Sequence, residues 1–551
     1  MKLLGTARRY WHTLRHLRPV QLYGRAWFRL ARPRPDERPA PERRKILESW
    51  HACKRPQRQF GPARFRFIGL ERELDWPSGW HDRGTPKLWR YNLHYFDDLV
   101  AVNAPERKGW HERLISSWIK DNPPIDGDGW EPYPTSLRIV NWIKWAWSGS
   151  SLSTDAVESL AVQTRWLTKR LEHHLLGNHL WANAKALVFS GCYFSGEEAD
   201  RWRVRGLALI ERELKEQILG DGGHFERSPM YHAIVLEDVL DLTQLCRLTE
   251  LLIPAVLEER LRSAAISMLD WLSEMSHPDG EIAFFNDAAM GIAVQREHLV
   301  EYAEVLGIRT ERAVSDPLKV LDESGYVRAE VGPWRLLADV GPIGPDYLPG
   351  HAHADTLSFE LTLSGKRLIV NSGIDRYEPG PERLKQRGTR AHSTVEVNGV
   401  DSSEVWSSFR VARRARPIKL KVHSRTSPLQ FSCAHDGYLR LPGRVGHSRR
   451  WRLDEKSLLV EDRLSGQFDR AVARFYLHPD YSATVRGDQI IATHAEMQVR
   501  IDVQGGQARL MDTLYHPEFG KRVPNQCVEL TIADTECRTE FCFEPQPLEA
   551  D

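Results

Sequence analysis

The chain changes its hydrophobic rhythm near residue 320. From about residue 89 to 310, apolar residues recur at three- and four-residue spacing in windows such as LWRYNLHYFDDLVAV, TSLRIVNWIKWAWSG, WANAKALVFSGCYF and YHAIVLEDVLDLTQLCRLTELL. That spacing gathers them on one helical face. Short connections carrying Gly, Pro, Asp or Asn separate the windows, which predicts successive antiparallel helices stacked as hairpins. From GYVRAEVG onward the pattern alternates with a period of two, as in TLSFELTLSGKRLIVNSG, HSRRWRLDEKSLLVEDRLSG, VARFYLHP and EMQVRIDVQG. Short alternating runs broken by turn residues predict antiparallel sheets in a sandwich. The predicted organisation is multidomain α+β. A basic, aromatic strap and linker cover 1–88, helices cover 89–315 and a β-sandwich covers 316–551, with the boundary at RAVSDP.

Composition sharpens this outline in a few places. A chain of 551 residues has room for two or three cores, and a formal net charge of +1 gives no global field toward nucleic acid. The 19 Trp are numerous enough to supply flat faces for sugar rings as well as core. Seven cysteines, an odd number without a C-x-x-C, define no disulfide framework and leave open one pair near the end of the sequence. No apolar run reaches the roughly 20 residues of a membrane span. The opening stretch lacks a continuous apolar core and a small-residue cleavage site, so no secretory signal is read. Residues 1–45 are rich in Arg, Trp, Tyr and Leu, and Trp11, Leu14, Leu17, Leu22 and Tyr23 can share a helical face. Such a segment suits an anionic lipid surface or a strap packed on the main domain, and the strap is expected. Arg32–Arg44, rich in Pro and charge, reads as a linker.

Three stretches carry candidate chemistry. In PGHAHADTLSFELTLSGKRLIVNSG, an extended backbone would place His351, His353 and Asp355 on one face, followed by a hairpin turning at Ser364-Gly365. His392 follows inside RAHSTVEV. A solvated strand edge would explain such a row, but the alanine spacers, Gly350 and the later His392 favour a site. Neutral imidazole binds metals and moves protons near pH 7. In GNHLWANAKAL, Asn178-His179 precedes a helical run with Asn183 one turn on, an arrangement that helix capping alone would also explain. In DGGHFERSPMYHAIVLEDVL, a turn at Asp221-Gly222-Gly223 leads to a helix start at Ser228-Pro229, with Tyr231 in its first turn and His232 beside it. Taken alone, Tyr231 reads as a core aromatic. Arg138 and Asn141, three apart on one predicted helix, could face a cleft.

From the H-x-H-x-D stretch through NSGIDRYE and RAHST to SSEVWSSFRVARRA, the chain resembles the heparinase II/III-like polysaccharide lyases, in the subgroup found with bacterial exopolysaccharide genes. The resemblance implies an incomplete α/α toroid followed by an antiparallel β-sandwich. It implies a lyase cleaving a uronic-acid-containing polysaccharide by β-elimination. Carried over, Asn178 with His179 meets the substrate carboxylate, Tyr231 donates a proton and in some relatives also removes one, and His351 is the partner base. His224, Glu226, Tyr377 and Arg387 are the implied substrate contacts, with Arg383 and Arg390 nearby, and Arg138 joins them as a candidate from its helical spacing. A structural zinc is implied on His353, position 371 and His392. Here Asn371 stands where many relatives have Asp, and a neutral amide oxygen is a poorer zinc ligand than a carboxylate; no cofactor is expected to be required, with a structural zinc left open if Asp355 or water completes the site. The implied partner is an acidic polysaccharide rather than nucleic acid. The implied compartment is the periplasm, with the cytoplasm left open because no signal peptide is read.

Other functions fit less well. The metallo-β-lactamase-type hydrolase motif continues with His directly after Asp, but Thr356 follows here, and that motif sits in an α/β fold. A non-catalytic glycan-binding or export protein would not need Asn178, Tyr231 and His351 together. A toroid glycoside hydrolase would need two placed carboxylates, and no pair stands out.

Overall fold

The computed structural model describes residues 2–46, 48–249, 251–309, 316–487, 489–495 and 497–543. Two helices come first, α1 (Lys2–Leu14) and α2 (Pro19–Leu30). The helical body follows as α3 (Lys87–Tyr95), α4 (Lys108–Asp121), α5 (Pro132–Trp147), α6 (Thr154–Lys169), α7 (Gly177–Tyr193), α8 (Glu197–Gln217), α9 (Pro229–Leu248), α10 (Ala255–Glu274) and α11 (Arg296–Val305). A short α12 (Pro381–Arg387) sits among the strands. The boundary expected at RAVSDP falls largely on residues 310–315, which lie outside the described residues; strands begin at Leu318.

Helix α7 is the hub of the toroid. It is apolar nearly all round, with Leu180, Trp181, Ala184, Leu187, Val188 and Phe189 buried, the composition of a helix surrounded by others. It packs against α5 and α8. Small residues let α7 and α8 approach: a Cβ on Gly206 would lie 2.8 Å from the Val188 amide nitrogen, and one on Gly191 would lie 2.5 Å from that of Arg203. Much of the Trp content is core, since Trp80, Trp89, Trp118, Trp142, Trp181 and Trp271 are fully buried. A polar network closes the inside of the ring. Lys144 and Lys185 both donate to Asp241, Lys185 also reaches Asp238 at 2.5 Å, and the Tyr302 hydroxyl donates to Asp241 at 3.0 Å.

The second part is a sandwich of an eight-stranded and a nine-stranded sheet, both antiparallel throughout, which excludes the α/β architecture of the metallohydrolase alternative. The nine-stranded sheet contains the predicted hairpin, Phe359–Leu363 paired with Lys366–Val370. Its turn uses positive φ at both Ser364 (48°) and Gly365 (80°), the geometry of two-residue hairpin loops. Phe359, Leu361, Phe431, Trp451, Phe475 and Phe541 fill the space between the sheets. All seven cysteines are free, so the pair left open by the sequence is not formed. Cys527 and Cys537 are buried, and burial pushes the Cys527 thiol up to about 12. Among the described residues no helix is long and apolar enough to cross a membrane.

The strap joins both parts. Gln21 donates to the Tyr347 carbonyl at 3.0 Å, and the Arg18 guanidinium lies 3.7 Å from the Tyr347 ring centre. Phe28 packs on His174 at 4.2 Å, and Trp406 donates to the Thr13 hydroxyl at 3.1 Å.

The ring network generates the first prediction. Asp241→Ala leaves two buried ammonium groups short of their shared carboxylate, and removing one member of a buried ion pair typically costs about 3–5 kcal/mol. The helical part of the variant should therefore melt well below the unmodified protein. An unchanged thermal midpoint in a scan followed by helical circular dichroism would show that the lysines do not depend on Asp241.

Candidate active site

The chain enters α7 through two left-handed residues, Leu176 (φ 67°) and Gly177 (φ 55°). This sharp entry sets Asn178 and His179 on the first turn. Only a glycine fits at 177, because a Cβ there would lie 2.4 Å from Leu348 Cδ2 and 3.0 Å from Glu226 Oε1. The Asn178 backbone N–H donates to Glu226. Its side-chain amide has no protein partner among the described residues, so it is available to a ligand. His179 Nδ1 lies 3.1 Å from Glu172 Oε1, and its ring packs on Tyr133 at 4.7 Å. Asn183 fixes Glu172, accepting from its N–H at 2.8 Å and donating to Oε2 at 3.1 Å. Desolvation alone would lower the His179 pKa, but the Glu172 carboxylate outweighs it and the net shift is upward. His179 is thus biased toward the imidazolium.

Tyr231 is positioned by the start of α9. Ser228 caps that helix, its hydroxyl accepting from the Tyr231 N–H at 3.2 Å. The Tyr231 ring lies 3.9 Å from the His351 ring, and its hydroxyl is 3.1 Å from that of Tyr377. Burial first, and the Tyr377 neighbour second, push the Tyr231 pKa well above 10. The phenol keeps its proton and is suited to donate.

The H-x-H-x-D segment corrects the expectation of a strand. Residues 351–358 form a loop ahead of the strand Phe359–Leu363. Side chains and loops take up its backbone groups where a neighbouring strand would have done so. Arg387 donates to the Ala352 carbonyl at 2.7 Å, Thr389 donates to that of Ala354 at 2.8 Å, and Asn286 accepts from the His353 N–H at 2.9 Å. The i, i+2, i+4 spacing nonetheless points all three side chains the same way, toward residues 286–287. Asp287 Oδ2 accepts from His351 Nδ1 at 2.9 Å, and Oδ1 lies 2.8 Å from His353 Nε2. Arg383, on α12, forks onto both oxygens at 2.5 and 2.7 Å. Burial opposes the charge on Asp287, but Arg383 and the two histidines hold its carboxyl well below the usual range. An ionised Asp287 fixes the proton of His351 on Nδ1, leaving Nε2 as an acceptor 3.8 Å from Glu226 Oε2. Burial raises the Glu226 pKa.

These contacts bring Asn178, His179, Glu226, Tyr231, His351 and Tyr377 together. Three expected substrate contacts lie elsewhere. Arg138 is fully buried in the toroid, bonded to Gln163 at 2.9 Å and stacked 3.8 Å over Trp118. Its neighbour Asn141 is held by the Tyr95 carbonyl and Asp97. His224 is buried behind the cleft against Gln217 at 3.1 Å. Arg387 spends its guanidinium on the carbonyls of Ala352 and Ser407, and burial lowers its pKa to about 9. Conversely, Asp287, Glu172, Tyr133 and Phe409 were not singled out from the sequence. Phe409 is 43% exposed, with its ring 5.5 Å from Tyr377 and 6.2 Å from His351. The one available signal for Asp287 was its place in FFNDAAMG, because a carboxylate in so apolar a stretch needs fixed partners.

The implied zinc triad does not fit through Asn371. Its amide nitrogen donates to the Phe284 carbonyl at 2.9 Å and its oxygen accepts from the Ser393 N–H at 3.2 Å. Among the described residues, the groups that could hold a cation are His353, Asp355 and His392, whose ligand atoms lie within 4.8 Å of one another. His353 Nδ1 and His392 Nε2 share a hydrogen bond at 3.2 Å, and burial lowers the two histidines to about 4 and about 3. Asp355 Oδ1 has no partner among the described residues, and burial raises its pKa.

Residues 72–311 match the family profile Heparinase II/III N-terminus, and residues 313–543 match Heparinase II/III-like, C-terminal. The chain belongs to the heparinase II/III-like family. It is similar to FtsZ-localized protein C of Caulobacter vibrioides, at 26% identity over 446 residues, covering 74% of this chain and 72% of that protein. It is also similar to a heparin-sulfate lyase of Bacteroides stercoris, at 25% identity over 387 residues, covering 61% of this chain. The match spans 56% of that lyase's length. Among solved structures, heparinase III superposes with a TM-score of 0.68 at 17% identity, covering 87% of this chain and 80% of the other. A heparan sulfate lyase from Pedobacter heparinus superposes at 0.60 with 19% identity, covering 88% and 82%. At these identities the likeness is one of fold.

The donor set generates the second prediction. Purified protein dialysed against buffer should hold zinc well below one ion per chain. One ion per chain by elemental analysis, released by Asp355→Asn, would instead show that Asp355 replaces the carboxylate missing at 371.

Proposed function

We propose that this chain is a polysaccharide lyase that cleaves a uronic-acid-containing polymer by β-elimination. The observation that carries this reading is the stack of Tyr231 on His351, with the imidazole locked by Asp287 so that its free nitrogen faces the cleft. The names of the heparin-sulfate lyases among its relatives point to the same polymer class.

The chemistry follows from the placement of the groups. Hydrogen 5 of a uronate is weakly acidic while the neighbouring carboxylate keeps its charge. The unpaired amide of Asn178 and the His179 imidazolium, sustained by Glu172, offer donors to that carboxylate and to the enolate-like charge that develops on it. His351 Nε2 is the base for the proton at C5. The Tyr231 phenol, kept protonated by its surroundings, hands a proton to the departing sugar oxygen. Tyr377 bonds the same hydroxyl and holds it in place; after product release, His351 gives up the C5 proton to water and Tyr231 regains one from water, so no net proton is left on the enzyme. Tyr133 and Phe409 supply flat faces for the flanking sugars. Neutral His353 and His392 sit behind the reacting groups and take no part.

A non-catalytic reading draws on the relative whose name refers to FtsZ rather than to a lyase. The same assay separates the two: the rise in ultraviolet absorbance of unsaturated uronates, followed across a panel of uronate polymers. Tyr231→Phe should keep binding and lose at least about a hundredfold in rate, the lower end of general acid–base contributions. Asn178→Ala should lose about 2–4 kcal/mol of transition-state stabilisation. Near-normal turnover by the phenylalanine variant would move the acid role to another group, His351 first. No cleavage of any uronate polymer by the unmodified protein would favour the binding reading.

The pH profile offers a separate check. The folded pKa of His179 lies above its ordinary value, so the imidazolium is present below that point and is lost as pH rises through it. The rate should fall on this alkaline side. Glu172→Gln removes the partner that raises the pKa while burial still lowers it, so the alkaline limb should move to lower pH. A limb that stays in place would remove His179 from the proposed carboxylate site.

A further inference from the structure

We propose that α1 and α2 form a docking face for an anionic lipid bilayer. Both helices pack on the body with one side only. In α2, Gln21, Gly24 and Phe28 turn inward, while Leu22, Tyr23, Ala26, Trp27 and Leu30 share the outer side. That spacing defines a continuous stripe on a helix. The outer side chains are unusually bare: Trp11 is 66% exposed, Tyr23 65%, Trp27 69% and Leu30 80%. Single exposed apolar residues are ordinary, but a contiguous set marks an interaction surface.

The charge on this face selects the partner. Before Asp36 the sequence holds nine Lys and Arg and no Asp or Glu, although the whole chain is nearly balanced at 76 against 75. Two of these cations are tied to the body, Arg9 near Glu404 and Arg18 on Glu216. Arg25 and Arg29 flank the apolar stripe with no acidic partner among the described residues. Basic side chains beside exposed Trp and Leu suit the interface of a negatively charged bilayer, where the rings and aliphatic chains enter the acyl boundary and the guanidinium groups meet headgroup phosphates. An acidic polysaccharide would suit the arginines and rings but would leave Leu14, Leu22 and Leu30 in water. Trp406 and Val411, which hold α1 through Thr13, belong to the same segment as Phe409 at the cleft. Docking would therefore lay the mouth of the cleft alongside the bilayer. This inference does not depend on the proposed reaction.

Vesicle co-sedimentation of the full chain tests it. Vesicles of phosphatidylcholine mixed with phosphatidylglycerol should pellet the protein, with a blue shift of Trp emission, whereas phosphatidylcholine alone should not. Binding should weaken as salt screens the headgroups. Trp27→Ser combined with Leu30→Ser, and separately Arg25→Gln with Arg29→Gln, should each lower partitioning by about tenfold or more, with thermal midpoints little changed because Trp27, Arg29 and Leu30 are exposed and Arg25, half-buried, has no acidic partner among the described residues. The proposal is overturned if the unmodified protein stays in the supernatant, or if both double variants pellet as well as it does. It is equally overturned if the variants lose binding to a soluble uronate polymer, or lose a dimer, while vesicle binding persists.

Discussion

A buried carboxylate is expensive unless every lone pair is met, and Asp287 meets that demand with groups from two other stretches of chain. Its own loop lies between α10 and α11 of the toroid. His351 and His353 come from the loop before a central strand of the nine-stranded sheet, and Arg383 comes from α12. Removing any one stretch leaves the others with an unpaired charge or an unfixed imidazole. The His351 carbonyl also accepts from the Asp287 N–H at 3.0 Å, so backbone and side chain are tied at the same point. The toroid and the sandwich therefore cannot shift against each other here without breaking charged hydrogen bonds, and the proposed base is set by the same contacts that join the two parts.

The cleft holds its titratable groups in opposed states. On one wall, Glu172 favours a charged His179. On the other, burial keeps Tyr231 protonated, with His353 and His392 held neutral behind it. Groups pushed apart in this way can serve as acid, base and electrostatic partner at one pH. The shifts have different origins, a close carboxylate in the first case and desolvation in the others, so one wall can be retuned without disturbing the other.

Much of the architecture was legible in the sequence because helix and strand periods are local properties. The switch from three-and-four spacing to alternation marked the two parts, and Ser364-Gly365 marked the hairpin. The capped start of α9 at Ser228 was legible for the same reason. The failures share a cause. His351 to Asp355 alternate like a strand, yet side chains of Arg387 and Thr389 occupy the backbone groups that a neighbouring strand would have paired. Arg138, His224 and Arg387 looked like surface or cleft groups because nothing local shows that Gln163, Gln217 and two loop carbonyls will enclose them. Asp287 was missed for the converse reason: its partners lie 64 to 96 residues away.

Position 371 shows how a single neutral side chain fits this electrostatic arrangement. Asn371 is fully buried, and its N–H donates to Glu360 at 2.9 Å, a carboxylate already paired with His277 at 2.7 Å. Asp355, with one unpartnered oxygen, lies in the same buried region. A further carboxylate at 371 would bring another negative charge into a space where His353 and His392 are neutral. It would also lose the donor that now meets the Phe284 carbonyl. Such a pocket would call for a cation to balance it. With asparagine, both ends of the amide are satisfied by the backbone, and the two histidines share one hydrogen bond. The loop bearing His351 rests on the charged contact between Asp287 and Arg383.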